Sequence, residues 1–317
     1  MTTKRKLIIT GAGGFVGGNL VKYAQNNFAD KFEVIPVTRK ECDLEVYQDT
    51  YKFFSQFRND IDTIVLHFAG YVGGIKENSE NQYQMVLRNS RISCNVVESC
   101  KSNNIVQFIS ALSTCIYPFS SRKIGNKDGV VSEYEIELGF EESNYGYALA
   151  KSVLYTLTNE CYKKGLDYKC VVPTNLFGPG DRWDEAGHLI SRTIKKFDNA
   201  KRTNSVVEFW GNGTEKRQFL YIDDFCKIMF DLIDKKFDIV NVVDESCELE
   251  TAEVIQIIQQ FMDAKDVDYS FTGELPGIPI KRASEWKLEK ILGDLQKYRN
   301  IFSYGIYKYL KAEGFLE

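Results

Sequence analysis

Strand-length apolar runs alternate with segments of helical period through the first half of the chain, from Lys6–Thr10 to Val106–Ser110. This alternation is typical of repeated βαβ units around a parallel sheet. We predict five strands before residue 115, one of them a short strand near Glu41–Leu44, and a sixth at Tyr168–Pro173. The predicted fold class is therefore α/β, with a doubly wound parallel sheet that binds ligands at the carboxyl ends of its strands.

The second half of the chain predicts a smaller C-terminal lobe. Glycine, proline, tryptophan and charged residues mix from Asn175 to about Arg217, and regular periods return at Ile222–Lys235 and Ile239–Val243. We predict that residues 1–174, joined by 222–250, form the sheet domain. Residues 175–221 and 251–317 are predicted to form a lobe that closes over a ligand.

A glycine-rich turn, Gly11-Ala-Gly-Gly14-Phe-Val-Gly17, separates the first predicted strand from its helix. Glycines let the chain turn sharply and let a pyrophosphate approach the free N–H groups at the positive end of the helix. The position between strand and helix favours a dinucleotide site in a Rossmann fold over a plain tight turn. We expect the cofactor to contact Gly11, Gly14, Phe15, Val16 and Gly17.

Charged residues follow the second predicted strand, where the chain should meet the adenosine ribose. Arg39 and Lys40 occupy this place. A cation there pairs with the extra phosphate of NADP, whereas an acidic side chain binds the free hydroxyls of NAD. The charges favour NADP, although Glu41 could serve NAD, and Asp43 is a candidate for the adenine edge.

The composition limits which classes of partner the chain is predicted to bind. The net charge is −4 with no basic block, so nothing favours nucleic acid or anionic lipid. The eight cysteines include no Cys-x-x-Cys pair, and the two histidines are His67, inside an apolar strand and interpreted as structural, and His188. We therefore predict neither a disulfide framework nor a metal site. No signal peptide or membrane helix is predicted either, which indicates a cytoplasmic protein with small-molecule ligands.

Two residue pairs indicate acid–base chemistry. Tyr147 and Lys151 are four apart in a segment of helical period and share one helix face. An ammonium beside a phenol is predicted to draw the pKa of that phenol down from about 10, and Lys151 can also hold the nicotinamide ribose. Ser113 and Cys115 close the fifth predicted strand, so we expect both on one face at the carboxyl end of the sheet.

This order of glycine turn, serine and Tyr-x-x-x-Lys resembles the extended short-chain dehydrogenase/reductases over nearly the whole chain. Six stretches are similar to the GDP-L-fucose synthase family: Tyr71-Val-Gly-Gly-Ile75, Ser113-Thr-Cys-Ile-Tyr-Pro118, Tyr147-Ala-Leu-Ala-Lys151, Pro173-Thr-Asn-Leu-Phe-Gly-Pro179, Gly187-His188 and Arg217-Gln-Phe-Leu-Tyr-Ile-Asp-Asp224. The resemblance implies NADPH as reductant and a GDP-4-keto sugar as substrate, epimerised at carbons 3 and 5 and reduced at carbon 4. It also implies a homodimer through the helices near Asn81–Ser102 and Tyr147–Lys164.

The resemblance assigns roles to individual residues. Cys115 is the expected base and His188 the expected acid of epimerisation, because inverting a carbon beside a ketone needs one group on each face. Ser113 and Tyr147 would hydrogen-bond the enolate oxygen, after which Tyr147 donates its proton to the reduced oxygen. Further expected cofactor contacts are Ala69, Gly70, Lys151, Pro173 and His188. Expected substrate contacts are Val72, Gly73, Asn175, Lys196, Trp210, Arg217 and Lys281, with Arg282 near the same anionic end.

The chain departs from that family after Gly178-Pro179, where Gly180-Asp181-Arg182-Trp183 replaces the usual His-Asp-Asn-Phe. The lost imidazole and the gained Arg and Trp lie beside the sugar, which leaves a heptose substrate possible. The long, charged segment Phe119–Ser143 is expected to act as a lid.

Two alternatives stay open. The first is a reductase that acts on an already epimerised GDP-4-keto-heptose, with Cys115 and His188 idle. The second is a non-catalytic NADP-binding sensor that docks a partner protein. Intact Ser113, Tyr147 and Lys151 argue against the sensor, because a sensor needs no proton donor.

Overall fold

The computed structural model describes residues 4–118, 130–131, 139–184, 187–273 and 278–316. Most of the predicted lid, Phe119–Ser143, lies outside these ranges. The strands are β1 (Arg5–Thr10), β2 (Phe32–Val37), β3 (Thr63–His67), β4 (Gln107–Ala111), β5 (Val130–Val131), β6 (Asp167–Pro173), β7 (Asn175–Phe177), β8 (Val207–Phe209), β9 (Lys216–Tyr221), β10 (Ile239–Val242), β11 (Glu248–Glu250), β12 (Tyr269–Phe271) and β13 (Ile280–Ala283). The helices are α1 (Phe15–Asn27), α2 (Tyr47–Ser55), α3 (Ile75–Glu80), α4 (Gln82–Ser102), α5 (Tyr145–Lys163), α6 (Leu189–Thr203), α7 (Ile222–Leu232), α8 (Thr251–Phe261), α9 (Trp286–Leu292) and α10 (Phe302–Ala312).

The main sheet has six parallel strands in the order β10-β6-β4-β3-β1-β2. The strand order reverses between β1 and β3, and ligands bind at such a switch point in open α/β sheets. The predicted strand at Glu41–Leu44 is wrong. The N–H groups of Glu41 and Cys42 instead donate to Thr38 O, which makes a turn after β2. Tyr168 therefore lies in the fifth strand of this sheet, not the sixth.

Helices cover both faces of the sheet, which confirms the doubly wound prediction. Along β1, Leu7 and Ile9 point into one core, whereas Ile8 points into the other. Leu20 of α1 packs in the first core and Val96 of α4 in the second. The near-continuous apolar sequence of these strands follows from burial on both faces.

Two smaller sheets were not predicted. One has the order β11-β9-β13-β5 with β7 also paired to β9, and the other pairs β12 with β8. Except for β9, their strands have only two to four residues, too few to show a period of two. The helix α6 was missed as well. Most of its residues are polar, but Ile190, Ile194 and Phe197 are buried and recur at helical spacing.

None of the helices in the described ranges is long and apolar enough to cross a membrane.

Asp224, in the first turn of α7, is buried and accepts a hydrogen bond from Asn300 Nδ2. Burial raises the pKa of Asp224 to about 6 despite that bond. Because the raised pKa favours the protonated carboxyl, its contribution to stability is present at low pH and is lost as the pH rises through about 6.

Asp224→Asn is therefore expected to raise the free energy of unfolding at pH 8 by at most about 3 kcal/mol, since one pKa unit corresponds to about 1.4 kcal/mol. At pH 4 we expect little gain. Denaturant unfolding at both pH values measures the difference. Asp223→Asn is the control, because Asp223 is half-exposed and pairs with Lys308 at the surface. Equal destabilisation by Asp224→Asn at both pH values would contradict this expectation.

Candidate active site

A tight glycine turn joins β1 to α1. Gly11 has φ +73°, in the left-handed region that glycine favours. A Cβ on Gly11 would lie 2.8 Å from backbone atoms of Phe68 and Ala69, so this turn packs directly against the turn that follows β3. A Cβ on Gly17 would lie 2.2 Å from Gly11 O. The close approach of these backbones therefore requires glycine at both positions.

The amino end of α1 is open to an anion. Gly14 precedes the helix and supplies no side-chain cap, and the first turn has no acidic residue. Phe15 and Val16 pack their side chains against the first core. A Cβ on Gly13 would meet, among described residues, only the Thr38 side chain, at 3.7 Å. This end of the helix fits the pyrophosphate of a dinucleotide.

Two cations stand at the end of β2. Arg39 and Lys40 are both exposed, and Arg39 Nη2 lies 2.9 Å from Glu45 Oε1. Arg88 pairs with the same carboxylate at 2.6 Å. Glu45 thus holds the Arg39 guanidinium at the rim of the crevice, where it can meet a phosphate.

The acidic residues of this segment bind the chain itself. Glu41 Oε2 accepts hydrogen bonds from Thr38 N and Thr38 Oγ1, and these bonds lower the pKa of Glu41. Asp43 Oδ1 accepts from Glu45 N at 3.1 Å. With Glu41 engaged in the turn and Arg39 at the rim, the charges fit NADP better than NAD.

The expected contacts Ala69, Gly70 and Pro173 follow β3 or end β6, at the carboxyl edge of the main sheet. Ala69 N donates to Thr10 Oγ1 at 3.3 Å, and the same hydroxyl lies 2.8 Å from His67 Nδ1. Burial, and then the charge of Lys151, lower the pKa of His67 to about 3. His67 is therefore a neutral ring packed in the core at physiological pH.

Tyr147 and Lys151 share one face of α5, and Lys151 Nζ lies 5.6 Å from the centroid of the Tyr147 ring. Lys151 is buried and donates to Ala111 O at 2.7 Å. Burial lowers the pKa of Lys151 to about 8. Burial, and then the charge of an ionised Cys115, raise the pKa of Tyr147.

The predicted lowering of the Tyr147 pKa by Lys151 is therefore wrong. Desolvation of the phenol outweighs the attraction of the cation, and the ammonium is directed at the Ala111 carbonyl. At neutral pH Tyr147 is thus fully protonated and available as a proton donor.

The expected placement of Ser113 and Cys115 at the end of a strand is also wrong. β4 ends at Ala111, and Ser113 caps a single 3₁₀ turn over Thr114–Ile116. Its Oγ accepts a hydrogen bond from Cys115 N at 3.2 Å. The 3₁₀ turn packs against α5, so the two predicted pairs lie on neighbouring elements.

His188 has a buried partner that sequence reasoning missed. Its Nδ1 lies 3.0 Å from Asp181 Oδ1 and 3.2 Å from Oδ2. Asp181 is buried, whereas about half of the His188 side chain is exposed, 51% by surface area. Burial lowers the pKa of His188, but the hydrogen bond and charge of Asp181 more than offset it, and the pKa is raised overall. Asp181 belongs to the segment that we interpreted as the loss of an imidazole and the gain of Arg182 and Trp183, without a role for Asp181.

Asp181→Asn is expected to lower the pKa of His188, because it removes the charge that favours the imidazolium. The chain has two histidines, so the C2 proton of His188 can be followed by NMR titration. Asp184→Asn is the control, since Asp184 pairs with Arg182 instead. An unchanged titration in Asp181→Asn would show that another group sets the His188 pKa.

Val72 and Gly73 follow the turn after β3. Val72 is exposed, and its carbonyl accepts from Arg182 Nη1 at 3.4 Å. Arg182 therefore borders the expected sugar contacts. Trp183, in contrast, packs against Tyr309 of α10, with 5.6 Å between ring centroids. Of Arg182 and Trp183, the two residues that differ here from the usual family sequence, Arg182 is the one that contacts the Val72 segment.

The five-stranded sheet brings together three of the expected substrate contacts, Asn175, Arg217 and Lys281. Arg217 of β9 and Lys281 of β13 are register partners, and Asn175 of β7 donates to a β9 carbonyl at 2.8 Å. Lys281 Nζ reaches to 3.9 Å from Cys115 Sγ. Arg282, next in β13, forms an ion pair with Glu248. Both cations thus face a carboxylate, since Arg282 pairs with Glu248 and Lys281 Nζ lies 3.5 Å from Glu141 Oε2.

A third group of side chains, which includes the expected substrate contacts Lys196 and Trp210, lies between α6 and β8. Lys196 donates to the Glu208 carbonyl and lies 4.8 Å from the centroid of the Phe209 ring. Burial, and then the charge of Arg192, lower the pKa of Lys196. The Arg192 guanidinium lies 5.5 Å from the centroid of the exposed Trp210 ring. Arg192 was not predicted, although it is four residues before Lys196 on the same helix face.

Among the described residues, no group of three or more His, Cys, Asp and Glu side chains could hold a metal ion.

A glycine turn at the switch point of a parallel sheet, with a Tyr–Lys pair at its carboxyl edge, defines a dinucleotide-binding protein of the short-chain dehydrogenase/reductase type. The model of the NAD dependent epimerase/dehydratase family matches residues 7–242. The chain belongs to this family.

Its relatives include the GDP-L-fucose synthase of Dictyostelium discoideum, 30% identical over 301 residues that cover 93% of this chain and 91% of that protein. This confirms the resemblance found in the motifs. A solved GDP-L-fucose synthetase from Naegleria fowleri bound to NADP has a TM-score of 0.84 at 24% identity, covering 98% of this chain and 93% of its own. A GDP-6-OMe-4-keto-L-xylo-heptose reductase from C. jejuni has a TM-score of 0.84 at 20% identity, covering 99% of both chains.

Proposed function

We propose that the protein inverts carbons 3 and 5 of a GDP-4-keto-deoxysugar and reduces carbon 4 with NADPH, in nucleotide-sugar biosynthesis for surface polysaccharide. The observation that carries this proposal is the packing of the 3₁₀ turn that bears Cys115 against α5, the helix that carries the half-buried, protonated Tyr147 and Lys151. The similarity to the Dictyostelium enzyme over 93% of the chain supports the choice of substrate.

The cofactor is NADP. When bound, it supplies the hydride for carbon 4. Gly11, Gly14 and Gly17, with the backbone of Phe15 and Val16, would hold its pyrophosphate. Arg39 would pair with the ribose phosphate, and Asp43 would lie by the adenine. The remaining cofactor contacts proposed are Ala69, Gly70, Lys151, Pro173 and His188.

In the epimerisation steps, the Cys115 thiolate takes the proton from carbon 3 or 5, so that a C–H bond breaks, an S–H bond forms and the electron pair passes to the carbonyl oxygen. Ser113 and Tyr147 hydrogen-bond that oxygen. His188, whose protonated form Asp181 favours, returns a proton to the opposite face. The configuration at that carbon is then inverted, and the ketone has re-formed.

In the reduction step, the oxygen on carbon 4 becomes an alkoxide, a far stronger base than a phenolate. Tyr147 can therefore donate its proton even though burial raises its pKa. Lys151 stabilises the phenolate that remains, which then regains a proton from solvent. The substrate contacts we propose are Val72, Gly73, Asn175, Lys196, Trp210, Arg217 and Lys281.

Turnover in deuterated water tests both the epimerisation and the reduction steps. The proposal expects deuterium at carbons 3 and 5 of the product together with NADPH oxidation. A reductase that takes an already epimerised GDP-4-keto-heptose would oxidise NADPH without deuterium at these carbons. The position of Arg182 beside Val72 is the observation that favours this alternative, because it changes the border of the sugar site. No NADPH oxidation with either sugar would overturn both.

We propose a homodimer in which α4 and α5 form the interface. The two helices lie side by side, and their solvent side carries Tyr83, 72% exposed, and Tyr145. Light scattering after gel filtration measures the mass.

All eight cysteines are free thiols, which supports a cytoplasmic location. We also propose that residues 1–174 with 222–250 bind the cofactor, and that 175–221 with 251–317 bind the sugar nucleotide.

A further inference from the structure

Cys115 has a cationic neighbour from a distant part of the chain. Lys281 Nζ lies 3.9 Å from Cys115 Sγ, within the reach of a charge-assisted contact to sulfur. The Lys281 side chain is only 15% exposed. A charge in such a place is screened less by water and salt than a surface charge.

The same ammonium also faces a carboxylate. Glu141 Oε2 lies 3.5 Å from Lys281 Nζ, and the Glu141 side chain is 11% exposed. Asn144 Nδ2 lies 3.4 Å from this oxygen, and Asn144 Oδ1 accepts from Asn78 Nδ2 at 2.8 Å. The carboxylate is thus held in position from α3, and Lys281 is shared between it and the thiol.

We propose that Lys281 is a positioning residue for epimerisation: its ammonium stabilises the Cys115 thiolate, and Glu141 opposes that effect. The inference rests on the proposed role of Cys115 as base. A cation within 4 Å favours the anionic form of a partly buried group, whereas a nearby carboxylate disfavours it. Lys281 therefore acts through the sulfur, in addition to any contact with the substrate diphosphate.

The alkylation rate of Cys115 by iodoacetamide at pH 7 tests the proposal without substrate or cofactor. The thiolate is the attacking species, so the rate reports how much of it is present. Peptide mass spectrometry isolates Cys115 from the other cysteines, and glutathione in the same tube serves as the reference thiol. We expect Lys281→Met to slow the alkylation by about tenfold and Glu141→Gln to speed it severalfold. Lys281→Arg should keep the rate near that of the unaltered protein.

Lys216→Met is the matched control. It removes the same charge from the neighbouring strand β9, where Lys216 pairs with Glu250 at 3.4 Å. The rate should not change in this variant. Cys100 and Cys170, both buried, should stay unmodified in every variant, which shows that each one is folded.

A purely structural role for Lys281 predicts the opposite sign. If its loss only loosened the packing around the 3₁₀ turn, Cys115 would become more accessible and alkylation would speed up. An unchanged or faster rate in Lys281→Met, or a slower rate in Glu141→Gln, overturns the proposal. Deuterium exchange into the substrate is measured separately. If the alkylation rates change as expected but no exchange occurs, the coupling stands and the proposed epimerase activity fails.

Discussion

Tyr147→Phe is expected to slow reduction of carbon 4 by about 10²–10⁴-fold, the usual contribution of a positioned general acid. Phenylalanine keeps the ring beside Lys151 but removes the hydroxyl that donates the proton. NADPH affinity should change little, because the cofactor contacts that we propose lie mainly in the glycine turn and at the end of β2. The loss should therefore be seen in kcat, measured from NADPH absorbance with a GDP-4-keto sugar.

Tyr162→Phe is the control, since Tyr162 lies near the far end of the same helix with its side chain exposed. It should turn over like the unaltered enzyme. Deuterium exchange at carbons 3 and 5 should persist in Tyr147→Phe at a reduced rate, because Cys115 and His188 remain. A kcat within threefold of the unaltered enzyme would remove Tyr147 from the reaction and leave the proposed mechanism without its proton donor.

Local sequence spacing was enough to find the parts of this site that are built within one βα unit or one helix. The glycine turn follows β1 directly, and Tyr147 and Lys151 are one helical turn apart. The strands of the main sheet were also recognisable, because burial on both faces makes them continuous apolar runs. The confirmed fold class rests on these features.

Contacts between distant segments left no local pattern. Cys115 and Lys281 are 166 residues apart, and no periodicity joins them. Asp181 lies seven residues before His188, but the two residues share no helix or strand, so their spacing did not predict the contact. The short strands of the smaller sheets were missed for a related reason, since their pairing is set by partners elsewhere in the chain.

Burial was the other quantity that the sequence did not supply. The Tyr-x-x-x-Lys spacing places a cation near a phenol and so predicts a lowered pKa. The structure buries Lys151 and half-buries Tyr147, and desolvation then moves the pKa of Tyr147 up and that of Lys151 down. Spacing alone therefore identified the pair and misjudged its ionisation.

Gly17→Ala is expected to weaken NADPH binding at least about 100-fold, because displacements near 1 Å have effects of this size on a tightly arranged site. The added Cβ would lie 2.2 Å from Gly11 O and 2.6 Å from Gly11 C, both backbone atoms. Relief requires the glycine turn to move away from the helix end that we propose to hold the pyrophosphate. Overpacking of this kind should also lower the free energy of unfolding by about 1–3 kcal/mol.

Gly13→Ala separates cofactor binding from folding. Its Cβ would meet the Thr38 side chain at an ordinary 3.7 Å, so stability should stay within about 0.5 kcal/mol of the unaltered protein. The new methyl group nevertheless projects from the turn on which we propose that the pyrophosphate lies, and we expect a clear loss of NADPH affinity by fluorescence titration. If Gly17→Ala and Gly13→Ala both bind NADPH normally, the dinucleotide does not lie on this turn. If only the first loses affinity, the cofactor touches the helix end and leaves the outer side of the turn free.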